Sequence, residues 1–360
     1  MQSKVNSAAS ASRNGDIVSV QYIRAMAALI VLVTHAFQWP LEEISFFLMK
    51  SGRFGVDIFF VVSGFIITLI AGSGAFDPLK FLVRRARRIV PAYWVATFLV
   101  TALALLLPQY FHSTVPTMEG LIKSLVFIPS ADPKAPLLLL GWTLNYEAFF
   151  YVVFACTFFL KSELRTVAQV LTLSTLVIVG QLLPEQGYLT RFYASPSLIG
   201  FMMGLLLAQA YRKGLVERIR GPWMAMLVAG VIALAAAYYI LPWNSPDSAP
   251  LHVHLVLSLL STLFVAGFLA IERNGYLPNL PVAKFLGDAS YSIYLFHLFP
   301  LGAFWAVTRR LFDVTPIYVY VPMAAACSIS ALLFGIACYW LIERPFLFRR
   351  ERPVPALAGV

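Results

Sequence analysis

The sequence predicts an all-α integral membrane protein, a bundle of about ten transmembrane helices with both termini in the cytoplasm. Two features of the composition point to this class. Of the 360 residues, 60% are hydrophobic and only 12% are charged, about half the charged share of a soluble domain. The apolar residues form long stretches, and Lys and Arg cluster in the short segments between them, which is typical of loops between spans.

A transmembrane helix needs about 20 mostly apolar residues, and the chain contains ten such stretches. The predicted spans are Val20–Trp39, Phe54–Ala71, Ile89–Leu107, Trp142–Leu160, Thr166–Leu183, Phe192–Tyr211, Trp223–Leu241, Leu255–Ile271, Tyr291–Thr308 and Ile317–Ile342. The long segment Pro108–Gly141 between the third and fourth spans is predicted to contain a short helix near Leu121–Phe127.

The loop charges predict the orientation of these spans. With the N-terminus in the cytoplasm, 19 of the 27 Lys and Arg lie on the cytoplasmic side, 7 lie on the other side and Arg24 lies inside the first span. Positive residues favour the cytoplasmic side, so we expect a multi-pass protein of the cell inner (plasma) membrane, surrounded by lipid. Orientation also accounts for the net charge of +10, and no nucleic-acid partner is expected.

Three regions follow from this pattern. Residues 1–16 are predicted to form a disordered cytoplasmic N-terminus, residues 17–345 a ten-helix membrane domain, and residues 346–360 a cytoplasmic tail. The first apolar stretch lacks a cleavage pattern and is expected to remain as a span. The three cysteines lie in apolar stretches without metal-ligand spacing, so we predict core packing and no metal site.

Charged residues inside spans indicate function, because each costs about 2.5 kcal/mol or more at the bilayer centre. Arg24 and His35 lie 11 residues apart in the first span, which places them on one helix face about 16 Å apart. The residues between them on this face include Ala27 and Ala28, so the face is suited to line a channel. Taken singly, each residue has an ordinary alternative, a snorkelling arginine or an interfacial histidine.

Two carboxylates are predicted to lie at the depth of His35. Glu147 begins the fourth span and Asp57 the second, and either could orient His35 and raise its basicity. Asp57 next to Gly55 could instead be a structural cap. The residues alone do not decide which carboxylate contacts His35.

Other polar residues of the spans favour structural roles. Ser63 and Gly64 lie at mid-membrane, where small residues allow close helix packing, and Ser63 has no base nearby in the sequence to make it a nucleophile. His297 is expected to lie near the cytoplasmic side, too far from His35 to join its chemistry. The remaining histidines are expected to be ordinary surface residues of the outer loops: His112, His252 and His254.

Four arginines precede the third span, at positions 84, 85, 87 and 88. One interpretation is an anchor that binds anionic lipid. The other is a phosphate site, because Arg85 and Arg88 are one helical turn apart and together can grip phosphate oxygens. A phosphorylated cytosolic cofactor would suit that site.

Six segments, in order along nearly the whole chain, carry a resemblance to a known family. They are Val20–Leu29 with His35, Gly55–Phe65, Arg85–Pro91, Trp142–Tyr151, Ser290–His297 and Glu343–Pro345. On these segments the chain resembles the acyltransferase-3 family of membrane proteins, and most closely the branch that acetylates exopolysaccharides.

The resemblance implies transfer of an acyl group, usually acetyl, from cytoplasmic acyl-CoA to a sugar hydroxyl of a polysaccharide or its lipid-linked precursor. It maps the family's arginine–histidine pair onto Arg24 and His35, its paired arginines onto Arg85 and Arg88, and its helix-borne glutamate onto Glu147. Some members carry an extracytoplasmic hydrolase-like domain, which is not expected here. The protein would then act alone or with separate polysaccharide assembly proteins.

These observations combine into one mechanistic hypothesis and its competitors. Acetyl-CoA is expected to bind Arg24, Arg85 and Arg88, with His35 as general base assisted by Glu147 or Asp57. A covalent acyl-histidine intermediate is the competing chemistry. The competing functions are a glycolipid transporter or flippase, which predicts internal repeats and broken helices, and a non-catalytic membrane partner in polysaccharide export.

Overall fold

The computed structural model describes residues 17–38, 42–71, 76–111, 114–129, 136–183, 187–240, 249–312 and 316–347. The predicted N-terminus 1–16, most of the predicted tail, and His112 lie outside these ranges. Within them the regular structure is helical, with no strand. The α-helices are α1 Val18–Gln38, α2 Glu42–Ala71, α3 Pro78–Leu106, α4 Met118–Leu125, α5 Gly141–Cys156, α6 Ser162–Leu182, α7 Tyr188–Tyr193, α8 Leu198–Arg212, α9 Pro222–Ile240, α10 Leu251–Arg273, α11 Pro281–Asp288, α12 Ser290–Phe296, α13 Leu298–Leu311, α14 Ile317–Cys338 and α15 Arg344–Leu347.

Every predicted span coincides with a helix or a helix pair. In the described part of the chain, seven segments are long and apolar enough to cross a membrane, and the bent pair α12–α13 would make an eighth. Helices α5 and α9 cover the other two predicted spans. The all-α, multi-pass architecture is confirmed, whereas the count of ten and the cytoplasmic termini stay predictions. The short helix expected near Leu121–Phe127 is present as α4, Met118–Leu125.

The outside of the bundle is apolar, as a lipid-facing surface requires. Large side chains stand exposed on α3, α6, α9 and α14; Leu106 and Leu333, for example, are 76% and 61% exposed. A soluble protein would bury such residues, because exposed apolar area in water is unfavourable. In a bilayer the same residues contact acyl chains, and this arrangement supports a membrane location.

Small residues bring α2 and α8 into backbone contact. A Cβ atom added at Gly204 would lie 2.2 Å from the Val61 carbonyl oxygen, and one added at Gly64 would lie 2.4 Å from the Phe201 carbonyl oxygen. Neither position tolerates a side chain, which confirms the packing role predicted for Gly64. Beside this contact, the ring of Phe201 stacks on the rings of Phe60 and Phe150, each at a centroid distance of 4.6 Å.

Helix α11 lies against the start of α1, and α12 follows α11 directly in the chain. A Cβ at Gly287 would lie 2.1 Å from the Gln21 carbonyl oxygen, so the two backbones touch there. Helices α12 and α13 then bend by 42° at His297. Pro300 explains this bend, because proline lacks an N–H and its ring clashes with the carbonyl four residues earlier, at Phe296.

Candidate active site

A cavity of about 480 Å³ opens between α1, α2, α3, α5 and α12, and it contains most of the charged residues predicted from the sequence. Its polar lining includes Arg24, Arg85, Arg88, Glu147 and Ser63. We call this cavity the arginine pocket. Its volume falls within the range of about 300–1,000 Å³ found for small-molecule sites.

Two of the four clustered arginines on α3 line the arginine pocket. Arg85 and Arg88 are partly buried and line the pocket, whereas Arg84 and Arg87 are exposed and do not line it. The helix starts with Asp77 as N-cap, whose side chain accepts a hydrogen bond from the Lys80 backbone N–H at 3.0 Å. Residues three apart share a helix face, and the structure confirms this prediction for Arg85 and Arg88.

The positive charge of the pocket is not balanced by ion pairs. Among the described residues, no carboxylate lies within salt-bridge distance of Arg24, Arg85 or Arg88. Arg24 donates to the Gln21 side chain at 3.2 Å, and Arg85 lies over the Tyr151 ring at 5.9 Å. The pocket lining has three arginines and one carboxylate, Glu147. A net positive charge in a membrane-embedded site is costly, so this arrangement favours an anionic ligand.

Glu147 supplies the carboxylate in the pocket lining. One of its oxygens, Oε1, accepts hydrogen bonds from the Ser63 hydroxyl at 3.1 Å and from the Tyr151 hydroxyl. The sequence offered Ser63 no base, but the tertiary structure places a carboxylate next to it. Two neutral donors on one oxygen hold the Glu147 side chain in a fixed orientation inside the pocket.

A second carboxylate lies behind the arginines. Glu343 is 2% exposed, and its Oε2 accepts from the Ser292 hydroxyl at 2.6 Å and from the Ser292 N–H at 3.2 Å. It ends a π-helical turn, Tyr339–Glu343, a local irregularity that often marks functional sites. Arg24 and Arg88 both experience its negative charge. The sequence marked Glu343 within a terminal motif but assigned it no role.

His35 lies outside the pocket lining, near the other end of α1. Its Nδ1 is 3.0 Å from the Val31 carbonyl oxygen and 3.0 Å from Nε2 of His297. The prediction that His297 lies too far from His35 is therefore wrong. The chain starts this crossing earlier than the predicted span, at α11, where Gly287 touches Gln21. By residue 297 it has reached the depth of His35.

Neither predicted carboxylate contacts His35. Glu147 bonds Ser63 and Tyr151, and Asp57 accepts from the Ser258 hydroxyl of α10 at 3.3 Å. Asp57 is 1% exposed and does not line the pocket. Ser63 of α2 and Ser258 of α10 are remote in sequence from the carboxylates that they contact, so no spacing within one span could have predicted these two partners. Tyr151, by contrast, lies four residues after Glu147 on the same helix.

Two further expectations are corrected. The small residues between Arg24 and His35 do not line a channel, because Ala27 and Ala28 are fully buried and the Ala27 carbonyl packs against Gly55. His254, expected at the surface, is buried in α10, whereas His252 is exposed as predicted. In both cases a neighbouring helix covers side chains of α1 or α10 that were expected to be accessible.

Tyr294 connects the two parts of the site. It lines the arginine pocket, its hydroxyl is hydrogen-bonded to the Thr143 hydroxyl at 2.8 Å, and its ring lies 6.2 Å from the His297 ring. The ring of Phe59 packs against it at 5.7 Å. The arginine pocket and the histidines are thus separated by one layer of side chains.

Comparison with known proteins agrees with this site. Residues 17–340 match the sequence pattern of the acyltransferase domain that defines the acyltransferase-3 family. The chain belongs to the acyltransferase-3 family. It is therefore a multi-pass membrane O-acyltransferase, as the resemblance predicted, and the helical bundle described above is the architecture of an acyltransferase-3 protein.

Two relatives illustrate the range of the family. The chain is 36% identical over 315 residues to the exopolysaccharide production protein ExoZ of Rhizobium meliloti, covering 86% of this chain and 94% of ExoZ. It is 26% identical over 365 residues to the O-acetyltransferase OatA of Staphylococcus aureus, covering 90% of this chain but 56% of OatA. No solved structure matches the chain.

In the described residues no group of three or more His, Cys, Asp or Glu is placed to hold a metal ion. Among the described residues of the acyltransferase-3 protein, the polar groups in and beside the pocket include the arginines, Glu147 with Ser63 and Tyr151, and the two histidines.

Proposed function

We propose that the protein moves an acetyl group from cytoplasmic acetyl-CoA to a hydroxyl of an exopolysaccharide, of another cell-surface glycan, or of its lipid-linked precursor. It would do so in the inner membrane, with residues 17–345 as the catalytic domain. The relative named as an exopolysaccharide production protein supports the glycan acceptor, because it matches nearly end to end.

The observation that carries the donor assignment is the unpaired charge of the arginine pocket. Arg24, Arg85 and Arg88 face one cavity, and guanidinium groups bind phosphate oxygens bidentately. Coenzyme A brings phosphates at one end and a thin pantetheine arm at the other. The positive-inside distribution of Lys and Arg supports a cytoplasmic location for this pocket, on the side of the membrane where acyl-CoA is found.

The arm must then reach the histidines, about 16 Å from Arg24 along α1 at 1.5 Å per residue. The buried face of α1 leaves no route, so the arm passes on the α12 side, by Tyr294. The Thr143–Tyr294 hydrogen bond opens for this passage. The acyl group would then arrive beneath His35, and the glycan hydroxyl would approach from the other side of the membrane.

The proposed acyl transfer needs one base, and its protons and bonds balance with His35 in that role. His35 takes the proton of the acceptor hydroxyl, whose oxygen attacks the thioester carbonyl; the C–O bond forms, the C–S bond breaks, and the proton passes to the departing sulfur. Proton transfer of this kind contributes about 10²–10⁴-fold to rates. The competing route, attack by His35 itself, gives an acyl-histidine and ping-pong kinetics.

The competing transporter hypothesis predicts broken helices, and the pair α12–α13 is bent by 42° at a break. Pro300 accounts for that break locally, and the family assignment favours the acyltransferase.

Transfer of label from radioactive acetyl-CoA into polysaccharide tests the proposal. Membranes with the wild-type protein should label the polysaccharide, membranes with His35→Ala should not, and the exposed-histidine control His252→Ala should label normally. Equal labelling by His35→Ala would remove His35 from the chemistry. Absence of labelling by the wild type would overturn acetyl-CoA as the donor.

A further inference from the structure

The two histidines form a chain of hydrogen bonds that fixes their protons. His297 is fully buried, and its Nδ1 lies 2.7 Å from the Tyr294 carbonyl oxygen and 3.3 Å from the Ile293 carbonyl oxygen. Carbonyl oxygens only accept hydrogen bonds. Nδ1 of His297 must therefore carry a hydrogen, and in the neutral ring Nε2 has the free lone pair.

The same argument extends to His35. Its Nδ1 faces the Val31 carbonyl oxygen and the lone pair of His297 Nε2, each at 3.0 Å. Both partners are acceptors, so His35 Nδ1 carries the hydrogen. The second nitrogen, Nε2, is then the one with a lone pair, and in the described part of the chain it has no hydrogen-bond partner.

We infer that His297 is a positioning residue, which holds His35 in the tautomer that leaves Nε2 free to act as the base. This inference rests on the proposed function for the role of His35. The bend at His297, which Pro300 causes, sets the position of this residue in the structure, because it interrupts the helix there. Its imidazole then lies between the two backbone carbonyls and the ring of His35.

The pair can also share the positive charge formed during transfer. When His35 Nε2 takes the hydroxyl proton, the hydrogen on His35 Nδ1 moves towards His297 Nε2. The charge is then stabilised by the Ile293 and Tyr294 carbonyl oxygens that accept from His297 Nδ1. When the departing sulfur takes the proton from His35 Nε2, the shared hydrogen returns from His297 Nε2 to His35 Nδ1.

Two substitutions separate this role from simple packing. His297→Leu keeps the volume but removes the acceptor. His297→Gln places an amide oxygen near the position of Nε2, and this oxygen can accept from His35 Nδ1. With acetyl-CoA as donor, His297→Leu should lower kcat roughly ten- to hundredfold, the usual value of a hydrogen bond to a charged group, with the donor KM unchanged. His297→Gln should recover most of kcat.

A direct measurement of the tautomer makes the test independent of activity. With ¹⁵N-labelled histidine in the full-length protein, NMR should show His35 protonated at Nδ1 and unprotonated at Nε2, with the signal assigned by its loss in His35→Gln. In His297→Leu this preference should weaken, and melting temperatures confirm that both variants are folded.

Three results would overturn the inference: wild-type kcat in His297→Leu, equal loss in the Leu and Gln variants, or a His35 proton on Nε2 in the wild type. If the wild type does not use acetyl-CoA, the proposed function fails, while the NMR result still decides the inference.

Discussion

The arginine pocket and the histidine pair lie in the same bundle but differ in how their polar groups are satisfied. The pocket has three arginines without salt bridges among the described residues and an open volume of about 480 Å³, and under the proposed function an anionic ligand completes its charge. In the histidine pair, every ring nitrogen except His35 Nε2 has a hydrogen-bond partner among the described residues. Under the two proposals, the pocket binds an anion and the histidine pair keeps a proton in place. Substitutions in the two should therefore have different kinetic effects.

The largest effect is expected at His35. His35→Ala should lower kcat about 10²–10⁴-fold, the contribution of a positioned base, and should leave the binding of CoA unchanged because His35 does not line the pocket. Single-turnover transfer and equilibrium binding of radioactive CoA to the purified protein measure the two quantities. Loss of CoA binding in a folded His35→Ala protein would remove the distinction between the two regions.

The pocket arginines should show the reverse behaviour. Arg85→Ala or Arg88→Ala should raise the donor KM roughly 10- to 100-fold, since a charge-assisted hydrogen bond contributes about 1.5–3 kcal/mol. Arg84→Ala and Arg87→Ala are matched controls, because they remove the same charge from the exposed face of the same helix.

Binding of pantetheine, which lacks the phosphates, should not change in the Arg85 and Arg88 variants. A donor KM that is unchanged in these variants, or raised equally in the controls, would contradict a phosphate site.

Glu147 tests the role of the carboxylate within the arginine pocket. Glu147→Gln should lower kcat about tenfold, because the charged acceptor of the Ser63 and Tyr151 hydroxyls is lost. It should not raise the donor KM, since it removes a negative charge from a site for an anion. Asp57→Asn is the comparison: Asp57 bonds Ser258 away from the pocket, and its change should affect kcat less. The opposite order would return the catalytic carboxylate to Asp57.

The smallest effect is expected at Ser63. Ser63→Ala removes one of two donors to Glu147, and a neutral hydrogen bond contributes about 0.5–1.5 kcal/mol, so kcat should fall only a few-fold. Complete loss of transfer in a folded Ser63→Ala protein would instead indicate an acyl-serine, with Glu147 as its base. Rapid-quench labelling of the protein by radioactive acetyl-CoA distinguishes these outcomes.

Within one helix, the sequence predicted which residues lie close together, while their catalytic and binding roles stay predictions. The resemblance assigned the phosphate role to Arg85 and Arg88, which are one helical turn apart and can share a face, and both line the pocket. Between helices the predictions were weaker. The sequence paired His35 with a carboxylate and placed His297 too far away, and the structure pairs the two histidines. Pro300, four residues after Phe296, was the available signal for a break at His297.

The sequence by itself determined that the protein is a helical membrane protein, which residues carry polar chemistry within it, and its family. Those properties depend on composition, on the length of apolar stretches and on spacing along one helix, all of which are local. Only the tertiary structure decided that Glu147 meets Ser63, that Asp57 meets Ser258 and that His35 meets His297. These contacts depend on which helices are neighbours and on how far each is shifted along its axis. Close packing at Gly64, Gly204 and Gly287 sets those shifts, and no periodicity within a single span contains them.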